Sequence, residues 1–184
     1  LSSDNMAEAA SLIVEDGRTL ISQGHMELLG LIDSITLEDI PKEMLANIFQ
    51  FKGEILSLLG RFEDAKAAFG TAQEQALKVK NHSIQAEALS ALADISLKQG
   101  NLDESLTMHK EALEIFIKQK DAVGAARSYN NMGYLLRRKN DSSKAIESYS
   151  EVERILDEND DPELISSQLI LARSLMDLGE IERS

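Results

Sequence analysis

One helical face of this chain gathers the groups that can bind an anion or a peptide. Between Ala122 and Asn140 there is no acidic residue, while Arg127, Arg137, Arg138 and Lys139 are basic. Arg127, Asn130, Tyr134 and Arg137 follow an i, i+3, i+7, i+10 spacing, which puts them on one side of a helix. A guanidinium offers a planar fork of donors to a carboxylate or phosphate. Asn130 and Asn131 can each donate to and accept from a peptide backbone, and Tyr134 adds an amphipathic contact surface. Lys98 from the preceding stretch and Arg173 from the following one are placed to join them. The same residues also have structural uses. Arg137, Arg138 and Lys139 lie in a last helical turn, where the helix dipole favours cations; Asn131 suits interhelical packing; and the basic groups can pair with the chain's 32 acids.

Bond-making chemistry has no comparable set. His25, His82 and His109 are far apart and show neither H-x-x-x-H nor H-E-x-x-H spacing, so no metal site is expected. His109 falls at a packing position between helices, which predicts a buried or half-buried structural role. The acidic pairs Glu63-Asp64 and Asp103-Glu104 stand at helix starts, where the dipole accounts for them, and Asp157-Glu158 near a helix end. No glycine-rich phosphate loop and no G-x-S-x-G occurs, and Ser128 and Ser148 have no base nearby in sequence. No cofactor is expected, and the chain reads as no enzyme.

Composition limits the settings. The 184 residues carry a formal net charge of -13, 4% aromatics, two prolines and no cysteine. Disulfides and thiolate metal sites are excluded, and nonspecific nucleic-acid binding is disfavoured by the acidity. No apolar run approaches the roughly 18 to 20 residues that span a bilayer. No basic-then-apolar leader follows Leu1. An intracellular, cytoplasmic setting fits, and a start at Leu1 instead of Met suggests a piece of a longer chain.

The binding face needs helices to hold it, and the abundance of Ala, Leu, Glu, Lys and Gln supplies them. Glycine or asparagine recurs at Gly24, Gly60, Gly100, Asn140 and Gly179, a period of about 40 residues. These two residue types reach the left-handed conformation that ends a helix, so the period describes helical hairpins. Seven residues before the corners stand Gly53, Ala93, Gly133 and Ala172, and nine after them Phe69, His109 and Tyr149. The expected helices cover 4 to 23, 25 to 34, 41 to 59, 61 to 79, 83 to 99, 102 to 119, 122 to 139, 142 to 158 and 162 to 178. Pro41 and Pro162 suit first helical positions. Asn101 with Glu104 forms a capping arrangement, and Asp121 and Asp141 suit caps.

The phrase from Gly53 to Ala72, G-E-I-L-S-L-L-G-R-F-E-D-A-K-A-A-F-G-T-A, resembles the tetratricopeptide repeat, and so does Gly133 to Tyr149. The family's closing proline is missing. The period exceeds the usual 34 or so residues, which is similar to the elongated subclass of kinesin light chains and bacterial signalling receptors. The resemblance implies an all-α, right-handed α-solenoid of antiparallel hairpins with about four and a half repeats. One solenoid over 1–184 would comprise an atypical first repeat 4–40, repeats 41–81, 82–121 and 122–161, and an incomplete final repeat 162–184. EDGRTLISQGHMELLGLIDSI, from Glu15 to Ile35, resembles the first repeats in sensor arms of maltose-regulon-activator-type ATPases.

First helices of such hairpins line an inner groove. The inward candidates are Asn47, Gln50, Phe51, Glu54 and Ser57; then Glu87, Ser90, Ala91, Asp94, Leu97 and Lys98; then Arg127, Asn130, Asn131, Tyr134, Arg137 and Arg138; last Ser166, Leu169, Ile170, Arg173 and Met176. The resemblance implies a noncatalytic protein-interaction scaffold that takes an extended or acidic peptide, with no membrane or nucleic acid as partner. Two other expectations stand beside it. One is a regulatory arm of a larger signalling or transcription-control ATPase. The other is self-association, as a homodimer, through the apolar C-terminal face of Leu169, Leu171, Leu175 and Leu178.

Overall fold

The computed structural model describes residues 3–35, 38, 40–158, 176, 177 and 179, and among these every segment rich in helix-forming residues is helical. No strand occurs among the described residues. The helices are α1 (Ser3–Ser22), α2 (Leu28–Ser34), α3 (Lys42–Leu58), α4 (Phe62–Lys78), α5 (His82–Lys98), α6 (Leu102–Gln119), α7 (Ala122–Arg138) and α8 (Ser142–Glu158). Expected and observed ends agree to within three residues, the largest gap being the late start of α2. Arg173, Pro162, Leu169, Leu171, Leu175 and Leu178 lie outside the described residues, as does nearly all of the expected helix 162–178.

The chain divides into two compact units, Leu1–Ile95 and Ser96–Ser184, with the division inside α5. In the first unit α3 packs on α4 and on α1; in the second α7 packs on α6 and on α8. The fold class is all-α, built of consecutive helical hairpins, as the repeat pattern implies.

Six of the corners among the described residues obey one rule, while α2 ends on an extended Ile35. Gly24, Gly60 and Gly100 have positive φ, and so do Lys80, Lys120 and Asn140. At Gly60 the residue's own N–H bonds to Ser57 O at 3.1 Å and the next, Arg61, bonds to Leu56 O at 2.9 Å. Lys120 repeats the pattern, its N–H on Ile117 O at 3.1 Å and Asp121 N–H on Phe116 O at 2.9 Å. This double bond pattern around a left-handed residue satisfies the last carbonyls of a helix. Glycine enters it without strain; lysine does so only because the motif and the following cap hold it there. Gly179, an expected corner, is helical.

Caps met the expectations unevenly. Asp121 accepts from Gly124 N at 2.8 Å, and Asp141 accepts from Lys144 N at 3.3 Å. Asn101 makes no side-chain cap; its amide donates to Glu104 at 3.3 Å, side chain to side chain, so neither reaches the backbone. Pro41 precedes α3 with ψ 131° as its N-cap and is not its first helical residue.

Small residues set how close helices come. A Cβ on Gly53 would stand 2.6 Å from two ring atoms of Phe69, and one on Gly133 would stand 2.6 Å from Tyr149 Cε1. Gly17 of α1 is fitted in the same way to Phe51, which is therefore a core residue and not a groove residue as expected. Gly124 lies against the ring of Phe116, whereas at the matching register one repeat earlier Ala76 clusters with Ile84 and Ala46. His109 is fully buried, in keeping with its packing register.

Candidate functional site

The expected basic face is built on α7. Asp121 starts the helix, and the Ser128 hydroxyl donates to Gly124 O at 2.9 Å, which turns that serine inward. The Arg127 guanidinium lies over the Phe116 ring, 5.8 Å from its centroid, and is half-buried. Such stacking orients the charge without neutralising it. Asn131 and Tyr134 are half-buried, and Arg138 is exposed. Asn130, at 3% exposure, sits deeper than its neighbours. Lys98 is exposed at the C-terminal end of α5.

Arg137 has a local partner that the sequence did not reveal. Its guanidinium lies 5.9 Å from the Tyr134 ring centroid and 3.5 Å from one oxygen of Asp177. The other oxygen of Asp177 accepts from the hydroxyl of Tyr149 at 2.9 Å. Tyr149 is fully buried, so its hydroxyl needs that acceptor. Arg137 thus stands beside a carboxylate fixed from the core. Lys139, next along, pairs with Asp103.

In the first unit, a second polar face joins α1, α3 and α5. Arg18 meets Glu87 at 2.6 Å, and the amide of Gln50 donates to Glu54 at 2.9 Å. Gln50 is 3% exposed. Burial acts to lower the pKa of Arg18, but the charge and hydrogen bond of Glu87 and the charge of Glu54 outweigh it, so the guanidinium is held more firmly protonated than usual. Arg18 is not among the inward candidates of the sequence, whose register starts at α3. The signal was present: Gly17 stands seven residues before Gly24, as Gly53 stands before Gly60, so Arg18 shares the register of Glu54, Asp94 and Tyr134.

No group of three or more His, Cys, Asp or Glu side chains that could hold a metal ion occurs among the described residues. No helix among the described residues is long and apolar enough to cross a membrane.

The sequence pattern of the family described as Tetratricopeptide repeat matches residues 44–118 and, overlapping them, 85–158. The chain belongs to the tetratricopeptide repeat family. Among solved structures, the crystal structure of BtubC (BKLC) from P. vanneervenii is similar, with a TM-score of 0.70 and 17% sequence identity over 100% of this chain and 84% of that one. At that identity the likeness concerns the fold. No curated protein matches the sequence. As tetratricopeptide repeats, the hairpins form a protein–protein interaction module.

Proposed function

We propose that the chain is a noncatalytic interaction module whose α7 face takes an extended, acidic segment of a partner protein. The observation that supports this reading most directly is the stacking of Arg127 on Phe116 beside half-buried Asn131 and Tyr134, on a helix without acidic residues in a protein of net charge -13. A guanidinium oriented by an aromatic ring binds carboxylate at a smaller entropic cost than a loose one. Asn131 is assigned to the partner's backbone, Arg138, Lys98 and Arg173 to the surrounding positive field, and Asn130, 3% exposed, to packing behind the face. Arg137 contributes mainly by fixing the Tyr134 ring, because Asp177 already lies against its guanidinium.

Selection of extended octapeptides from a random displayed library tests the reading. Asp and Glu should be enriched on the unaltered chain, and the enrichment should vanish with Arg127→Glu combined with Asn131→Ala. Helical circular dichroism should not change, since both residues are only half-buried. Selection of the same peptides by both proteins would overturn the proposal.

A further inference from the structure

The polar face of the first unit has the opposite chemistry to α7. Helix α3 lies between α1 and α5, sharing a core with α1 through Phe51 and with α5 through Leu56 and Ile95. Arg18 of α1 therefore meets Glu87 of α5 while α3 carries the hydrogen-bonded pair Gln50 and Glu54, and the charge of Glu54 is near enough to act on Arg18. The two ends of this ion pair are unequal. The side chain of Glu87 is 17% exposed and that of Arg18 is 58% exposed. The carboxylate is the recessed wall, and the guanidinium is the outer, exchangeable part.

A separate observation marks the wall as incomplete. Gln50 is buried and gives its N–H to Glu54, yet its Oε1 accepts no hydrogen bond. An acceptor buried without a donor is costly. Glu54, Glu87 and Gln50 Oε1 are all acceptors, and a guanidinium is the side chain with the most donors in a fixed fork.

We propose that Gln50, Glu54 and Glu87 form a site for an arginine side chain carried by an extended segment of a partner, and that Arg18 occupies this site as a built-in competitor. An arriving arginine replaces Arg18 on Glu87 and spans to Glu54, and the buried Gln50 amide, bonded to Glu54, responds to the exchange. Arg18 moves out into solvent, where most of its surface already lies. The site belongs to the first unit and does not depend on the reading of α7.

Two fluorescein-labelled peptides test it on the whole chain by anisotropy: Gly-Ser-Arg-Gly-Ser-Arg-Gly-Ser, and the same sequence with Glu for Arg. Arg18→Met should bind the arginine peptide roughly two- to five-fold more tightly than the unaltered chain, the range expected when one exposed ion pair no longer competes. Adding Glu87→Gln or Glu54→Gln to Arg18→Met should remove that gain and weaken binding further. Glu153→Gln, an exposed acid on α8, should change nothing. In the unaltered chain, the side-chain amide resonances of Gln50 should move on adding the arginine peptide and stay still with the glutamate peptide. The proposal fails if Arg18→Met binds no more tightly, if Glu153→Gln costs as much as Glu87→Gln, or if the Gln50 resonances do not move. It fails equally if the glutamate peptide binds in a manner lost on Arg18→Met, since Arg18 would then be the recognising group.

Discussion

Replacing Gly53 with alanine should destabilise the protein, although alanine is the better helix former. A Cβ at this position would lie 2.6 Å from Phe69 Cδ1, 2.6 Å from Cε1 and 2.9 Å from Cγ. Phe69 is 2% exposed and packed among Leu56, Ala65, Ala68 and Ile95, so its ring has little room to retreat. Overfilling a packed core costs about 1–3 kcal/mol, and three atoms inside contact distance at once place this case in the upper half of that range. Glycine to alanine inside a helix returns about 1 kcal/mol. The difference is a loss of roughly 1–2 kcal/mol, measurable by urea unfolding followed through the helical circular dichroism. Gly70→Ala in α4 is the control, since a Cβ there meets nothing within 4 Å. It should stabilise by about 0.5–1 kcal/mol. Combining Gly53→Ala with Phe69→Leu should be less destabilising than the sum of the two changes by about 1 kcal/mol, the mark of two side chains competing for one space. If Gly53→Ala stabilises as much as Gly70→Ala, the close approach of α3 and α4 is not what keeps position 53 small.

Three further predictions concern the corners. Lys120→Gly should raise stability by about 1 kcal/mol in thermal or urea melts, because Lys120 has φ 58° and an L side chain is strained in that region. Asp121→Ala should lower it by about 1 kcal/mol through loss of the cap on the Gly124 amide, read from the same melts. The third concerns pH. Hydrogen bonds from the side chain and then the backbone of Lys144 hold the Asp141 carboxyl below its ordinary pKa. A depressed folded-state pKa gives stability that is present above the unfolded value, near 3.9, and is lost as pH falls through the folded one. Asp141→Asn should therefore flatten the acid side of the stability curve below about pH 4, in urea midpoints taken from about pH 6 to 2.

The hairpins were legible because their signals are local. Gly60, Gly100 and Asn140 announce left-handed corners by residue type, and Gly53 and Gly133 announce close helix approach by register. Lys80 and Lys120 hold the same left-handed conformation and could not be found that way, since lysine carries no turn preference; the Asn81 and Asp121 that follow were the available hint. The polar faces were legible in part. Residue type marked Arg127 and Tyr134, and periodicity placed them together. Periodicity does not distinguish a helix's outer stripe from its flank, which is why Phe51 appeared inward yet is packed against Gly17. The pairing of Arg137 with Asp177, 40 positions away, and of Arg18 with Glu87 depends on tertiary approach, and neither partner's residue type names the other.

The fitted volumes at the helix contacts also bear on how copies of the chain can pair. Phe116 rests on Gly124, while Ala76, at the same register one repeat earlier, rests on Ile84. Large meets small in both places, but the order is reversed. A chain that slipped by one repeat, or two chains exchanging hairpins out of register, would press Phe116 against Ile84 and leave Ala76 facing Gly124 across a void. Filling a seat built for phenylalanine with alanine costs about 3–5 kcal/mol, and the opposite seat is overfilled at the same time. The reversed order of large and small at these two contacts therefore opposes a one-repeat slip.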